Sequence, residues 1–191
     1  MTKNVYSIGL LLFGLTMVLF FGVYFFGFNA HYFTTTLMVN AFVLPAVYTL
    51  GAYLSVHSLK KIQPSLSFKE AFGRAFKPMF VGGFLSIVSI FSFLNYADTT
   101  AKDVLNFQFV ERNKSELTEI YQKQRSIMKN QKDIAELDRD YQKSMQSFSP
   151  EMIKDKDMFT FRKFTYYFAA ILVFYLILST FFGSFFRTRN A

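Results

Sequence analysis

Long stretches without charge alternate with charged stretches along the chain, and this pattern predicts its architecture. No Asp, Glu, Lys or Arg occurs from Asn4 to Leu59. About twenty apolar residues cross the hydrocarbon core of a bilayer, so a run of this length predicts two passes. We place them at Val5–Phe28 and Thr34–Val56, joined by a turn at residues 29–32.

Two later stretches also lack charged residues, and each is long enough to cross a bilayer once. They are Pro78–Ala97 and Phe164–Phe186. The predicted fold class is therefore all-α: a polytopic membrane protein with four transmembrane helices and an extracytoplasmic helical hairpin between the third and the fourth. The chain divides into residues 1–97, 98–163 and 164–191, and the last part ends in a basic tail.

An amphipathic helix is predicted ahead of the third pass, at residues 67–77. Ser67 and Glu70 have the S-x-x-E spacing of a capping box. A stripe of phenylalanines then runs under a mostly basic surface, which is typical of a helix lying among lipid headgroups. The same stripe also suits packing on neighbouring helices. Pro78 favours a break before the pass that follows. The predicted lipid-interface residues here are Phe68, Phe72, Phe76, Arg74 and Lys77.

Glycines and serines recur at spacings of three and four along the third pass. Small residues allow close helix approach in a membrane, so this pattern predicts a helix-packing face. A polar pore lining is the alternative interpretation of the same residues. An amide in the second pass, which needs a partner in lipid, is assigned to the same packing role. The residues concerned are Gly82, Gly83, Ser86, Ser89, Ser92 and Asn40.

Basic residues are unevenly distributed, and this predicts the orientation. The chain carries a net charge of +8, most of it in the loop between the second and third passes and in the C-terminal tail. Arg187 and Arg189 belong to that tail and are predicted interface anchors. By the positive-inside rule both termini are cytoplasmic and residues 98–163 lie outside, in the periplasm. The excess charge indicates contact with anionic lipids rather than nucleic-acid binding.

The outer segment has a helical composition with a sevenfold apolar repeat. Residues 98–149 contain no Gly and no Pro, which favours helix. The repeat predicts a coiled-coil-like seam, used either for internal packing or for docking to another chain. A turn is expected at residues 129–133. The predicted docking residues are Ile120, Ile127, Ile134 and Tyr141.

Two short motifs carry a resemblance to a known family. They are Phe68-Lys69-Glu70-Ala71-Phe72, ahead of the small-residue pass, and Phe148-Ser149-Pro150, ahead of the last pass. With the four-pass pattern, they make the chain similar to a bacterial membrane family of unknown function that is common in Bacteroidota. The resemblance implies an inner-membrane location and supplies no mechanism.

Residues for catalysis are scarce in the sequence. There is no cysteine, and the two histidines, His31 and His57, fall at opposite ends of the second pass. No hydrolase, P-loop or dinucleotide motif occurs. We therefore expect no enzyme activity, no metal and no cofactor.

A non-catalytic structural or accessory subunit of a bacterial inner-membrane complex is the favoured function. Its partners would be membrane lipids and other membrane or periplasmic subunits, and a homo-oligomer is also compatible with the sequence. The complex would serve secretion, transport or assembly. A small oligomeric channel or transporter is the alternative, although ion-coupled carriers usually need an ionisable residue inside a pass, and none is present.

Overall fold

The computed structural model describes residues 4–149, 152 and 157–188, and no β-strand occurs among them. The helices are α1 (Val5–Gly27), α2 (Tyr32–Lys60), α3 (Phe68–Ala97), α4 (Thr99–Ile127), α5 (Gln131–Gln146) and α6 (Phe161–Phe186). Two of them, α2 and α3, each contain one π-helical turn, at Val39–Val43 and Phe93–Ala97.

Four of these helices, α1, α2, α3 and α6, are long and apolar enough to cross a membrane, with mean hydropathies of 1.6–2.3. This confirms the all-helical class and the prediction of four apolar helices. They form a bundle in which α3 is central and packs along α1 and α6, and to a lesser extent along α2. Such helices indicate a membrane protein.

The two ends of the bundle differ. One, here called the basic end, carries the α2–α3 loop and the C-terminal end of α6. Several exposed cations lie there: Lys60, Lys61, Lys69, Lys77 and Arg187. The other end carries α4 and α5, here called the arm.

The third apolar helix does not break at Pro78, so the prediction of a separate amphipathic helix at residues 67–77 was wrong. The helix runs without interruption from Phe68, and its start is fixed by the predicted capping box of Ser67 and Glu70. Proline lacks the N–H that would bond the carbonyl of Arg74, four residues earlier. The hydroxyl of Ser55 on α2 donates to that carbonyl instead, at 2.7 Å. A contact from another helix therefore satisfies the acceptor that Pro78 leaves open.

Two apolar clusters fill the bundle. One joins all four long helices towards the basic end, around Ala52, Ala75 and Met79, which are fully buried. The other lies at the arm end, where Ala101 and Leu105 of α4 pack on Tyr32, Leu94 and Phe164. The first half of α4 therefore covers the end of the bundle.

Hydrogen bonds hold the chain connections at both ends. At the basic end, the main-chain N–H of Thr188 donates to the carbonyl of Leu66 at 2.8 Å. At the arm end, the side chain of Gln108 on α4 accepts from the N–H of Phe33 at 2.7 Å and donates to the carbonyl of Asn29 at 2.8 Å. These bonds fix α4 across the α1–α2 turn.

Candidate functional site

The two glycines of the predicted packing face meet different helices. A Cβ added to Gly82 would lie 2.8 Å from Leu12 Cβ and 2.9 Å from the carbonyl oxygen of Gly9, both on α1. A Cβ on Gly83 would overlap the hydroxyl of Tyr175 on α6. Because nothing larger than hydrogen fits at either position, these glycines set the approach of α1 and α6 to the central helix.

The predicted serines do not gather around a common passage. Ser86 is buried, and its hydroxyl donates to the carbonyl of Gly82 in its own helix at 2.8 Å. Ser89 is half-buried, whereas Ser92 and Asn40 are exposed on the bundle surface. These residues therefore do not line one passage inside a single chain, and an oligomeric channel stays the alternative prediction.

A cluster of hydroxyl groups inside the bundle was not anticipated from the sequence. The Thr16 hydroxyl donates to the carbonyl of Leu12 at 2.8 Å and lies 3.2 Å from the Tyr48 hydroxyl. The Tyr48 ring stacks on Tyr175 with centroids 5.3 Å apart. The cluster joins α1, α2 and α6. The only signal in the sequence was a tyrosine inside an apolar pass, and a tyrosine at such a position is usually counted as an apolar residue.

The predicted lipid-interface phenylalanines belong to a longer ladder along α3. Successive rings four residues apart have centroids 5.8–6.0 Å apart. The ladder continues past Pro78, and its first members also pack on α6, since a Cβ at Gly183 would lie 2.8 Å from the Phe68 ring. Its members are Phe68, Phe72, Phe76, Phe80 and Phe84.

The predicted cationic anchors have different environments. Lys77 and Arg187 are exposed. Arg74 instead contacts α2, where its Nε donates to the carbonyl of Ser55 at 3.2 Å. Arg189 lies outside the described residues. Lipid contact at these residues stays a prediction.

A shallow hollow of about 540 Å³ lies at the basic end. Its carboxylate, Glu70, is already engaged, because it accepts from Gln63 Nε2 at 2.9 Å and from the N–H of Ser67 at 2.8 Å. In the part of the chain that the structure describes, no group of three His, Asp or Glu side chains is placed to hold a metal ion. The hollow is lined by Gln63, Pro64, Ser65, Leu66, Ser67, Glu70 and Thr188.

A polar network fixes the base of the arm. Lys102 of α4 donates to Asn95 Oδ1 at 3.3 Å and pairs with Asp157 at 3.4 Å. Asp157 also accepts from Asn106 Nδ2 at 2.9 Å. Burial acts to raise the pKa of Asp157, but the hydrogen bonds from Asn106 and the Phe159 N–H, together with Lys102, outweigh it and lower the pKa. The network attaches the start of α6 to α4, which is a structural role.

The two arm helices pack through a tyrosine pair. The rings of Tyr121 on α4 and Tyr141 on α5 stack with centroids 4.1 Å apart. Tyr121 donates its hydroxyl proton to Asp138 at 2.7 Å, and this bond raises the pKa of the tyrosine. Thr118 Oγ1 lies 3.1 Å from the Tyr141 hydroxyl. No residue of α5 is buried, so this pair and its polar contacts are the principal link between the helices.

The predicted docking residues do not form one seam. The chain turns at residues 128–130, where Asn130 caps α5, so the sevenfold repeat continues across a reversal of direction. Ile120 and Ile127 share an outer face of α4 and are 54% and 70% exposed. Ile134 and Tyr141 are half-buried on the stripe of α5 that faces α4. Among the described residues of the distal arm, the exposed large apolar side chains are thus Ile120 and Ile127 on α4 and Met128 in the turn.

The chain belongs to a family of proteins of unknown function, DUF4199, which matches residues 7–188. This confirms the resemblance to a family of unknown function. A bacterial source and a four-pass architecture common to the family stay predictions. No curated protein and no solved structure is significantly similar to the chain.

Proposed function

We propose that the chain is a non-catalytic accessory subunit of a bacterial inner-membrane complex and that it docks other subunits through the distal arm. The observation that carries this proposal is the exposed face of Ile120 and Ile127 on a helix that no bundle residue covers there. Burying an isoleucine side chain stabilises a contact by about 1.5–3 kcal/mol. Because Ile120 and Ile127 are 54% and 70% exposed, a partner that covers both would gain roughly half to two thirds of that amount from each.

The proposed orientation places the basic end in the cytoplasm and the arm in the periplasm. It is supported by the exposed lysines and Arg187 at the basic end, which suit anionic headgroups of the inner leaflet. Because the chain contains no cysteine, single cysteines report sidedness directly. Ile62→Cys and Ser115→Cys should react with an impermeant thiol reagent from opposite sides, and labelling of both from one side would contradict the orientation.

Copurification in mild detergent tests the docking surface. The double variant Ile120→Glu/Ile127→Glu should lose the partners that copurify with the wild type, since it places two charges in the apolar contact. Ser115→Glu/Gln122→Glu is the matched control: it adds the same charges, seven residues apart, on an exposed face of the same helix that points away from Ile120. The control should retain every partner.

Two outcomes would contradict the proposal: a wild-type chain that copurifies with no other protein, or a double variant that retains all wild-type partners. Membrane insertion of each variant, measured by carbonate extraction, shows that any loss arises at the arm. Ser86 is bonded within α3, Ser89 is half-buried and Ser92 is exposed, so these serines do not line one passage in a single chain.

A further inference from the structure

We propose that the chain forms a homodimer inside the membrane through the outer face of α2, with Asn40 of each copy hydrogen-bonded to the other. This surface is separate from the arm, so the proposal goes beyond the docking function proposed above. It depends on an amide and a main-chain carbonyl that the fold leaves without partners.

The first observation is that α2 is the least covered of the four long helices. Only 11% of its apolar window is buried, against 22–28% in the other three. Its π-helical turn, Val39–Val43, contains no buried residue. Met38 and Phe42, on either side of Asn40, are 60% and 73% exposed. The described residues of the bundle therefore leave the outer face of α2 around Asn40 uncovered, and this face is available to another helix.

The second observation is the depth of Asn40. At 1.5 Å per residue, α2 is about 43 Å long, and Asn40 lies about 12 Å from its first residue. The hydrocarbon core is about 30 Å thick, so a centred α2 enters it about 7 Å from each end. Asn40 then lies about 5 Å inside the hydrocarbon, where no water is present to bond its amide.

The third observation is that Asn40 has two unpaired polar groups. The Asn40 side chain is exposed and makes no hydrogen bond with another described residue. In a regular α-helix the N–H of Leu44 would bond the Asn40 carbonyl, but here it bonds Val39 instead, five residues back. The residue that a π-helix would use for that carbonyl is Pro45, which has no N–H. The carbonyl of Asn40 is therefore also left without a helical donor.

The second π-helical turn shows what a fully used amide looks like in this fold. Asn95 lies in the turn Phe93–Ala97. Its Nδ2 donates to the carbonyls of Phe91 and Phe159, at 3.0 and 3.1 Å, and its Oδ1 accepts from Lys102 at 3.3 Å. Asn95 is thus bonded on both sides of its amide, whereas Asn40 is bonded on neither.

The partner that fits these polar groups is a second copy of the chain. Two copies inserted with the same orientation carry Asn40 at the same depth. A twofold axis along the membrane normal therefore brings the two Asn40 side chains together. Each amide offers donors and acceptors, and each can donate to the other's amide oxygen or to the unpaired main-chain carbonyl. The neighbouring side chains are uncharged, so they do not repel a copy of themselves.

Disulfide cross-linking tests the dimer in a chain that has no cysteine. Leu37→Cys lies one turn before Asn40 and is 43% exposed in the wild type, so it should cross-link to a dimer in native membranes and after purification. Ile177→Cys on α6, 65% exposed, is the matched control and should not. Asn40→Leu added to Leu37→Cys should raise the dimer dissociation constant about tenfold, which corresponds to about 1.4 kcal/mol. Asn40→Gln should keep the dimer.

Thr180→Leu on α6 controls for polarity alone, because that hydroxyl is exposed but bonded to Leu176 in its own helix at 2.8 Å; it should leave dimerisation unchanged. A monomeric wild type, a dimer that Asn40→Leu leaves intact, or cross-linking of Leu37→Cys only to a different protein would each overturn the proposal. The Ile120→Glu/Ile127→Glu chain should dimerise normally, so the two proposals fail independently.

Discussion

The bond between Ser55 and the Arg74 carbonyl should stabilise the bundle more than its length suggests. Two buried serines each donate to a main-chain carbonyl, Ser55 at 2.7 Å and Ser86 at 2.8 Å. The acceptor of Ser86, Gly82, also receives a helical N–H, whereas the acceptor of Ser55 does not, because residue 78 is proline. The two hydroxyls therefore differ in whether the acceptor also receives a helical N–H.

Removing each hydroxyl separates these cases. Ser55→Ala removes the hydroxyl that takes the place of the missing helical N–H at a buried carbonyl, which costs about 1–3 kcal/mol. Ser86→Ala removes a redundant bond of similar geometry and should cost less than about 0.5 kcal/mol. Both side chains are at most 3% exposed, so the two substitutions should lose about the same packing. The free energy of unfolding in mixed detergent micelles measures the difference.

Restoring the missing donor completes the test. Pro78→Ala returns an N–H to the Arg74 carbonyl, so Ser55→Ala should cost less in that background than in the wild type. A double-mutant cycle gives this coupling directly. The reasoning is refuted if Ser55→Ala and Ser86→Ala cost the same, or if the cost of Ser55→Ala is unchanged by Pro78→Ala.

Two further predictions concern the packing face and the base of the arm. Gly83→Leu should destabilise the bundle by about 1–3 kcal/mol or more, since the leucine side chain collides with Tyr175. Phe84→Leu should have only a small effect on stability, because Phe84 is 46% exposed in the wild type. Equal thermal midpoints for the two variants would contradict this prediction. The Tyr24 hydroxyl donates to Asp98 at 2.7 Å and lowers the pKa of that carboxyl. The stabilisation from ionised Asp98 is thus complete above the ordinary aspartate pKa of about 3.9, and it is lost as pH falls through the lower pKa of Asp98 in the folded state. Asp98→Asn keeps an N-cap for α4 and should flatten that part of the stability–pH curve, and an unchanged curve would show that Asp98 does not contribute.

Composition alone was enough to find the four apolar helices, because crossing a bilayer depends on the length of an uncharged run. The interruption expected at Pro78 was wrong because the proline rule considers only bonds within one helix. The replacement donor, Ser55, lies 19 residues before Arg74 in the sequence. A tertiary contact of this kind leaves no periodic signal. For the same reason the sequence did not indicate that Arg74 contacts the carbonyl of Ser55.

The arm shows a different limit of sequence patterns. A turn was expected at residues 129–133, and the helices are separated at residues 128–130. The sevenfold repeat gave no indication of the reversal, because the spacing continues unchanged through the turn. It therefore grouped Ile127 with Tyr141, although one is exposed and the other stacks on Tyr121. Periodicity assigns a face within one helix and carries no information across a change of direction.

In the proposed function, the arm would hold a partner at a fixed distance from the bundle. The buried residues of α4, Ala101, Leu105 and Val110, all lie in its first half, and no described residue after Val110 in that helix is buried. The remaining turns, residues 111–127, extend about 25 Å beyond the bundle at 1.5 Å per residue. Gln108 fixes the base against the α1–α2 turn, and residues 98–149 contain no Gly or Pro that would soften it. If the α2 faces pair two chains, two such arms are held at a defined separation, and one complex presents two equivalent docking faces.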